Sequence, residues 1–266
     1  MLMNASKHDK DAYDGILDSG RIFLQAEFRN QDPSTHIAKI KEFWSKPQGL
    51  LLLSNHFEWL VDGSDGGNLS LNIKANIDRA IGITVQVLSN KKDRKWKETL
   101  DEVKVTAQGR NGNAIMYYVY VIRELAKYWK NSPEKVIFIQ GEDDTVQVSD
   151  QPYLHIVKID NFGEDGFEEA ILISVKVGAV TLFDNVSLVD GLAAVIQVCF
   201  VFHLLFPKDA DETFNFIQHV LAKFGPRDGA NNMKGQLKKK FIDFQCALAD
   251  IVLMEEEDVV KKMLVV

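Results

Sequence analysis

The sequence predicts an α+β fold, predominantly helical, in which a small antiparallel β-sheet drawn from about residues 135–183 packs on helices. Three observations lead there. Apolar residues recur at helical spacing through the first half. The period shortens to two between Lys135 and Phe183, and helical spacing returns after Leu188. With 266 residues, 46% of them apolar, the chain has material for one large core. It therefore reads as a single compact domain over residues 1–266. The one candidate sub-boundary lies near residue 132, between a helical N-terminal half and a C-terminal half of hairpin plus helices.

Taken in order, Asp11 to Phe28 reads as a helix weakened by Gly15 and Gly20. Asp32 followed by Pro33 is an N-cap carboxylate with proline at the first helical position, and Ile37, Ile40 and Trp44 mark the face that ends at Pro47. Leu50 to Val61 is a third helix, stopped by Asp62 and the glycine-rich stretch to Gly67. Ile73, Ile77, Ile81, Val85 and Leu88 mark a fourth, and Trp96, Leu100 and Val103 a short fifth. Ile115, Tyr118, Val119, Ile122, Leu125, Ala126 and Trp129 define a sixth, ended by Asn131-Ser132-Pro133.

Strands follow at Lys135–Gln140, Tyr153–Lys158 and Ala170–Val177. Gly178-Ala179 supplies a two-residue turn into Val180–Phe183, which is a hairpin signal. The acidic stretches Gly141–Asp144 and Asp160–Glu169 read as solvated loops. Leu188 to Phe206 is long enough to cross a bilayer, but Asp190, Gln197 and His203 argue for a helix buried in a soluble core. Its narrow stripe through Asp190, Ala194, Gln197 and Val201 leaves His203 rotated by about 140°, toward the core. Asp209 with Glu212 has the form of a capping box, opening a helix lined by Phe214, Ile217, Leu221 and Phe224 and closed by Gly225-Pro226. Leu237, Phe241, Phe244, Leu248 and Ile251 line the last helix.

The net charge of −7 argues against a surface given over to nucleic acid. Cys199 and Cys246 each lie in an apolar-rich stretch with no Cys or His at ligand spacing and read as buried free thiols, so neither disulfide nor structural metal is expected. Met1 to Lys10 lacks the apolar segment of a secretory signal, which gives a reducing, cytoplasmic or nuclear setting. Gly63-Ser64-Asp65-Gly66-Gly67 lacks the Lys-Ser/Thr pair of a P-loop and carries carboxylate instead. Without a P-loop, the Walker-B-like outline of Val136–Gln140 leading into Glu142, Asp143 and Asp144 carries no weight. Calcium loops starting at Asp62 or Asn161 fail at the twelfth position. The six histidines form no HExxH, and no serine sits in a G-x-S-x-G elbow. No catalytic, cofactor-binding or metal-binding residue is assigned, and no cofactor is expected. Two basic clusters stand out. One is Lys238-Lys239-Lys240, preceded by Lys234; in the other, Lys91, Lys92, Arg94, Lys95 and Lys97 surround Trp96, a pattern that can neutralise phosphates while the ring stacks on a base. The competing account places Trp96 in a helix core with Leu100.

From Tyr153 to Phe224 the features run in a particular order. A Pro-Tyr-apolar strand comes first, then a strand pair around Val175, then an apolar helix ending in Leu-Leu-Phe-Pro-Lys, then Thr213-Phe214-Asn215-Phe216-Ile217-Gln218. This order resembles the C-terminal region of multicopy animal proteins labelled sterile alpha motif domain-containing-like, where a Tyr-Pro-Lys … Thr-Phe-Glu-Phe-Ile-Gln pattern follows an apolar helix. Phe206-Pro207-Lys208 stands in the first of those places here. No sterile alpha motif is recognised in the chain, so that name's binding function is not carried over. The resemblance implies a shared fold module and transfers no catalytic residue.

With no cluster of acids, bases, metals or oxyanion donors in view, the leading expectation is a non-enzymatic interaction or scaffold protein. It would act through protein–protein surfaces, self-association included, and without a membrane partner. The first alternative is nucleic-acid or polyanion binding through Lys91–Lys97. The second is an enzyme whose dispersed pocket joins His155 or His203 to carboxylates.

Overall fold

A computed structural model describes residues 49–61, 68–90, 98, 101, 114–143, 151–163, 166–202, 204–224 and 246. The helices expected at Asp11–Phe28, Asp32–Pro47 and Leu237–Ile251 lie outside the described residues, as do the Lys91–Lys97 cluster and His203. In chain order the elements are α1 (Gly49–Leu60), α2 (Leu69–Asn90), α3 (Ala114–Tyr128), a 3₁₀ turn (Pro133–Lys135), β1 (Ile137–Ile139), β2 (Pro152–Gly163), β3 (Gly166–Val177), β4 (Val180–Phe183), α4 (Leu188–Val201) and α5 (Asp211–Phe216), which runs into a π-helical turn (Ile217–Leu221).

The first three helices form where the apolar spacing puts them. Leu53 and Phe57 on α1, Ile73, Ile77, Ile81 and Leu88 on α2, and Val119, Ile122, Ala126 and Trp129 along α3 are all buried. α3 ends because Lys130 takes a left-handed conformation (φ 64) and the Asn131 N–H turns back to the Ala126 carbonyl. One apolar cluster joins α1, α2, α3, the sheet, α4 and the π turn, passing position 132 without a break.

α4 is the central buried element. Its Ser187 cap accepts from the Asp190 N–H at 3.1 Å. Gln197, expected on a polar stripe, is instead buried and accepts a hydrogen bond from Ser54 of α1 at 3.3 Å. Phe57 and Phe200 meet edge-on three residues further along both helices, so α1 runs beside α4 in the same direction. A methyl group on Gly191 would sit 2.9 Å from Leu154 Cδ2 and 3.3 Å from Val186 Cγ2, and the bare glycine is what lets α4 lie close on the sheet. The helix stops at Val201, short of the expected Phe206. Its C-cap Phe202 has already left helical geometry (φ −101, ψ 9), and further along Phe206 stacks flat against Phe214, ring centroids 4.9 Å apart.

The sheet corrects the expected fold class. Its order is β1-β2-β3-β4, but β1 pairs with β2 in parallel (Ile137↔Leu154, Ile139↔Ile156), so the sheet is mixed rather than antiparallel and the chain is a mixed α/β structure. Residues 140–151 are long enough to carry the chain back to the starting end of β1, which a tight turn could not do. β1 also reads as a parallel strand reads: Ile137, Phe138 and Ile139 are all buried, with no polar alternation.

The capping box expected at Asp209 is also replaced. α5 starts at Asp211 after Ala210, which offers no side-chain cap. Asn131, at the end of α3, does the capping: its Oδ1 accepts from the Thr213 N–H (3.1 Å) and hydroxyl (2.8 Å), and its Nδ2 donates to Glu212. Asp209 pairs instead with Lys135.

Candidate functional site

The longest elements of the sheet are β2 and β3, at 12 residues each, and they pair without interruption from Pro152↔Val177 to Gly163↔Gly166. Their neighbours are short. β1 lies along Leu154–Ile156, and the last bond on that side runs from Gln140 N–H to the Ile156 carbonyl. β4 lies along Val175–Val177, and the last bond there runs from Val186 N–H to the Ile173 carbonyl. From Val157↔Leu172 outward the hairpin therefore continues as a two-stranded arm, with no third strand among the described residues. The stretch Asp160–Glu169, expected as a solvated loop, is the outer half of this arm. Asp, Asn, Gly and Glu are poor strand formers, which is why the sequence hides it. Its pairing is carried outward from the apolar root in unbroken register.

The root of the arm is clamped to α3. Gly141 takes φ 88 and turns the chain after β1, presenting Glu142 and Asp143. Arg123 forks onto both carboxylate oxygens of Asp143 (2.7 and 2.8 Å) and reaches the Ile137 carbonyl, while Asp143 also accepts from the Ile139 N–H at 2.7 Å. Lys158 of β2 donates to Glu142 and, at 2.9 Å, to the Tyr120 hydroxyl, which also donates to Glu142. Burial alone would depress the Lys158 amine, but its bonds to Glu142 and Tyr120 outweigh it and hold the pKa above the ordinary value. Burial, then the bond to Glu142, pushes the Tyr120 phenol up. Arg123 and Asp143 are almost wholly enclosed, whereas Lys158 and Glu142 are partly open, so the first pair is the structural one.

The arm's two edges follow from backbone alternation. Ile156 turns its carbonyl toward β1, so Lys158, Asp160 and Phe162 are the next residues to turn theirs outward. Ile173 turns its carbonyl toward Val186, so Ile171, Glu169 and Phe167 are the outward residues of β3. The sequence between Lys158 and Ile171 holds Asp160, Glu164, Asp165, Glu168 and Glu169 and no further cation. Register sets Asp160 directly opposite Glu169.

A second polar group lies near the root. His155 is buried, stacked on Phe138 at 5.5 Å, and paired across the strands with Ser174, whose hydroxyl donates to Asp184 at 2.6 Å. Burial, then the neighbouring Lys176, lowers the His155 pKa, and Asp184 works against them. A serine nucleophile needs a base to take its proton. Here the Ser174 proton is spent on a carboxylate and the imidazole lies flat on an aromatic ring. The arrangement is that of a buried polar pair in a sheet.

Among the described residues, no group of His, Cys, Asp and Glu side chains is placed to hold a metal ion, and no helix is long and apolar enough to cross a membrane. Cys199 is buried among apolar groups, which pushes its thiol pKa well up, whereas Cys246, expected to be buried as well, is exposed. The clamp residues Tyr120, Arg123 and Lys158 escape sequence reasoning. Only the Glu142-Asp143 pair directly after a buried strand hinted at them. Comparison with protein-family models, with curated proteins and with solved structures finds no match.

Proposed function

We propose that this chain is a non-enzymatic interaction module whose working surface is the arm formed by the outer halves of β2 and β3. The observation that carries this reading is the mismatch of lengths: strands of 12 residues flanked by strands of three and four. A two-stranded ribbon is marginal by itself and gains little for the core. A clamp that fixes its root to α3 costs a buried ion pair, and an interaction surface is a reason to hold at a fixed angle a ribbon that no third strand among the described residues supports.

The test is to shorten the arm. Replacing residues 160–169 by Asn-Gly joins Ile159 to Ala170 through a two-residue turn that suits their pairing. Peptides selected from a random display library on the full-length chain should bind it and fail to bind the shortened one, while the melting temperatures of the two stay close. Selected peptides that bind both chains equally would remove the arm from consideration.

A further inference from the structure

We draw no further inference here: the strongest candidate, the apolar face where Phe200 of α4 meets Phe57 of α1 and Phe224 beyond the π-helical turn, carries nothing because nothing among the described residues shows what covers it.

Discussion

At the root of the hairpin, Leu154 and Ile156 of β2 and Ile173 and Val175 of β3 are at most 3% exposed, pressed beneath α4 where Gly191 admits it. A few residue pairs outward, the same two strands set Asp160 opposite Glu169, with no third strand among the described residues. Both ends share one ladder of backbone bonds, yet they differ in what keeps them paired. The root is held by side-chain burial at about 25 cal/mol per Å² of apolar surface. The outer half is held because its register is already set. Strand structure can thus be exported from a well-packed sheet into sequence that would not form it alone, provided the exit is fixed.

Substitutions at the root should therefore be costly and those in the arm cheap. The heaviest case lies elsewhere in the same core, at Trp129, buried against Phe216 at 5.8 Å between ring centres. Trp129→Ala should lower stability by about 3–5 kcal/mol in urea unfolding. Asp143→Ala leaves the Arg123 guanidinium buried without its carboxylate and should cost about 3 kcal/mol. It should also speed amide exchange in β2, and a variant that loses stability without loosening β2 would separate the clamp from the arm. Gly191→Ala gains up to about 1 kcal/mol of helix propensity but overpacks Leu154, for a net loss of about 1–2 kcal/mol.

Titration should shift stability less. Burial, then the hydrogen bond and negative charge of Glu212, raises the Asp211 pKa from 3.8 to about 7. The folded chain thus holds this proton more tightly than the unfolded chain does. That contribution is complete below about pH 4 and is lost as pH rises through about 7. Asp211→Asn should flatten the decline between those values, and an unchanged pH profile would show that the carboxyl pair is not under strain. Smallest of all, Glu169→Gln, in the outer half of the arm, should change stability by no more than about 0.5 kcal/mol. A loss of several kcal/mol there would erase the contrast between root and arm.

Much of the helical frame was legible in the sequence because its signal is local. Leu53 and Phe57, or Ile73, Ile77 and Ile81, announce a buried face by spacing alone. The β3–β4 hairpin was legible for the same reason, since Gly178 takes the positive φ of 59 that its tight turn requires. What stayed hidden was set at a distance. The direction of β1 depends on where residues 140–151 return the chain. The pairing of Asp160–Glu169 depends on strands that begin elsewhere, and the Arg123–Asp143 and Lys158–Glu142 contacts join helix, turn and strand. The basic cluster Lys91–Lys97, the sequence's own candidate site, lies outside the described residues.

The cap that Asn131 lends to α5 carries a consequence for the order of assembly. Helix nucleation is the costly step, and α5 is a six-residue helix whose Thr213 N–H finds its acceptor 82 residues back along the chain. A peptide spanning residues 204–224 should show almost no helical circular dichroism in water. On a ribosome, α3 and Asn131 emerge long before Thr213 does, so α5 waits until a template made by earlier sequence is in place and then condenses onto it.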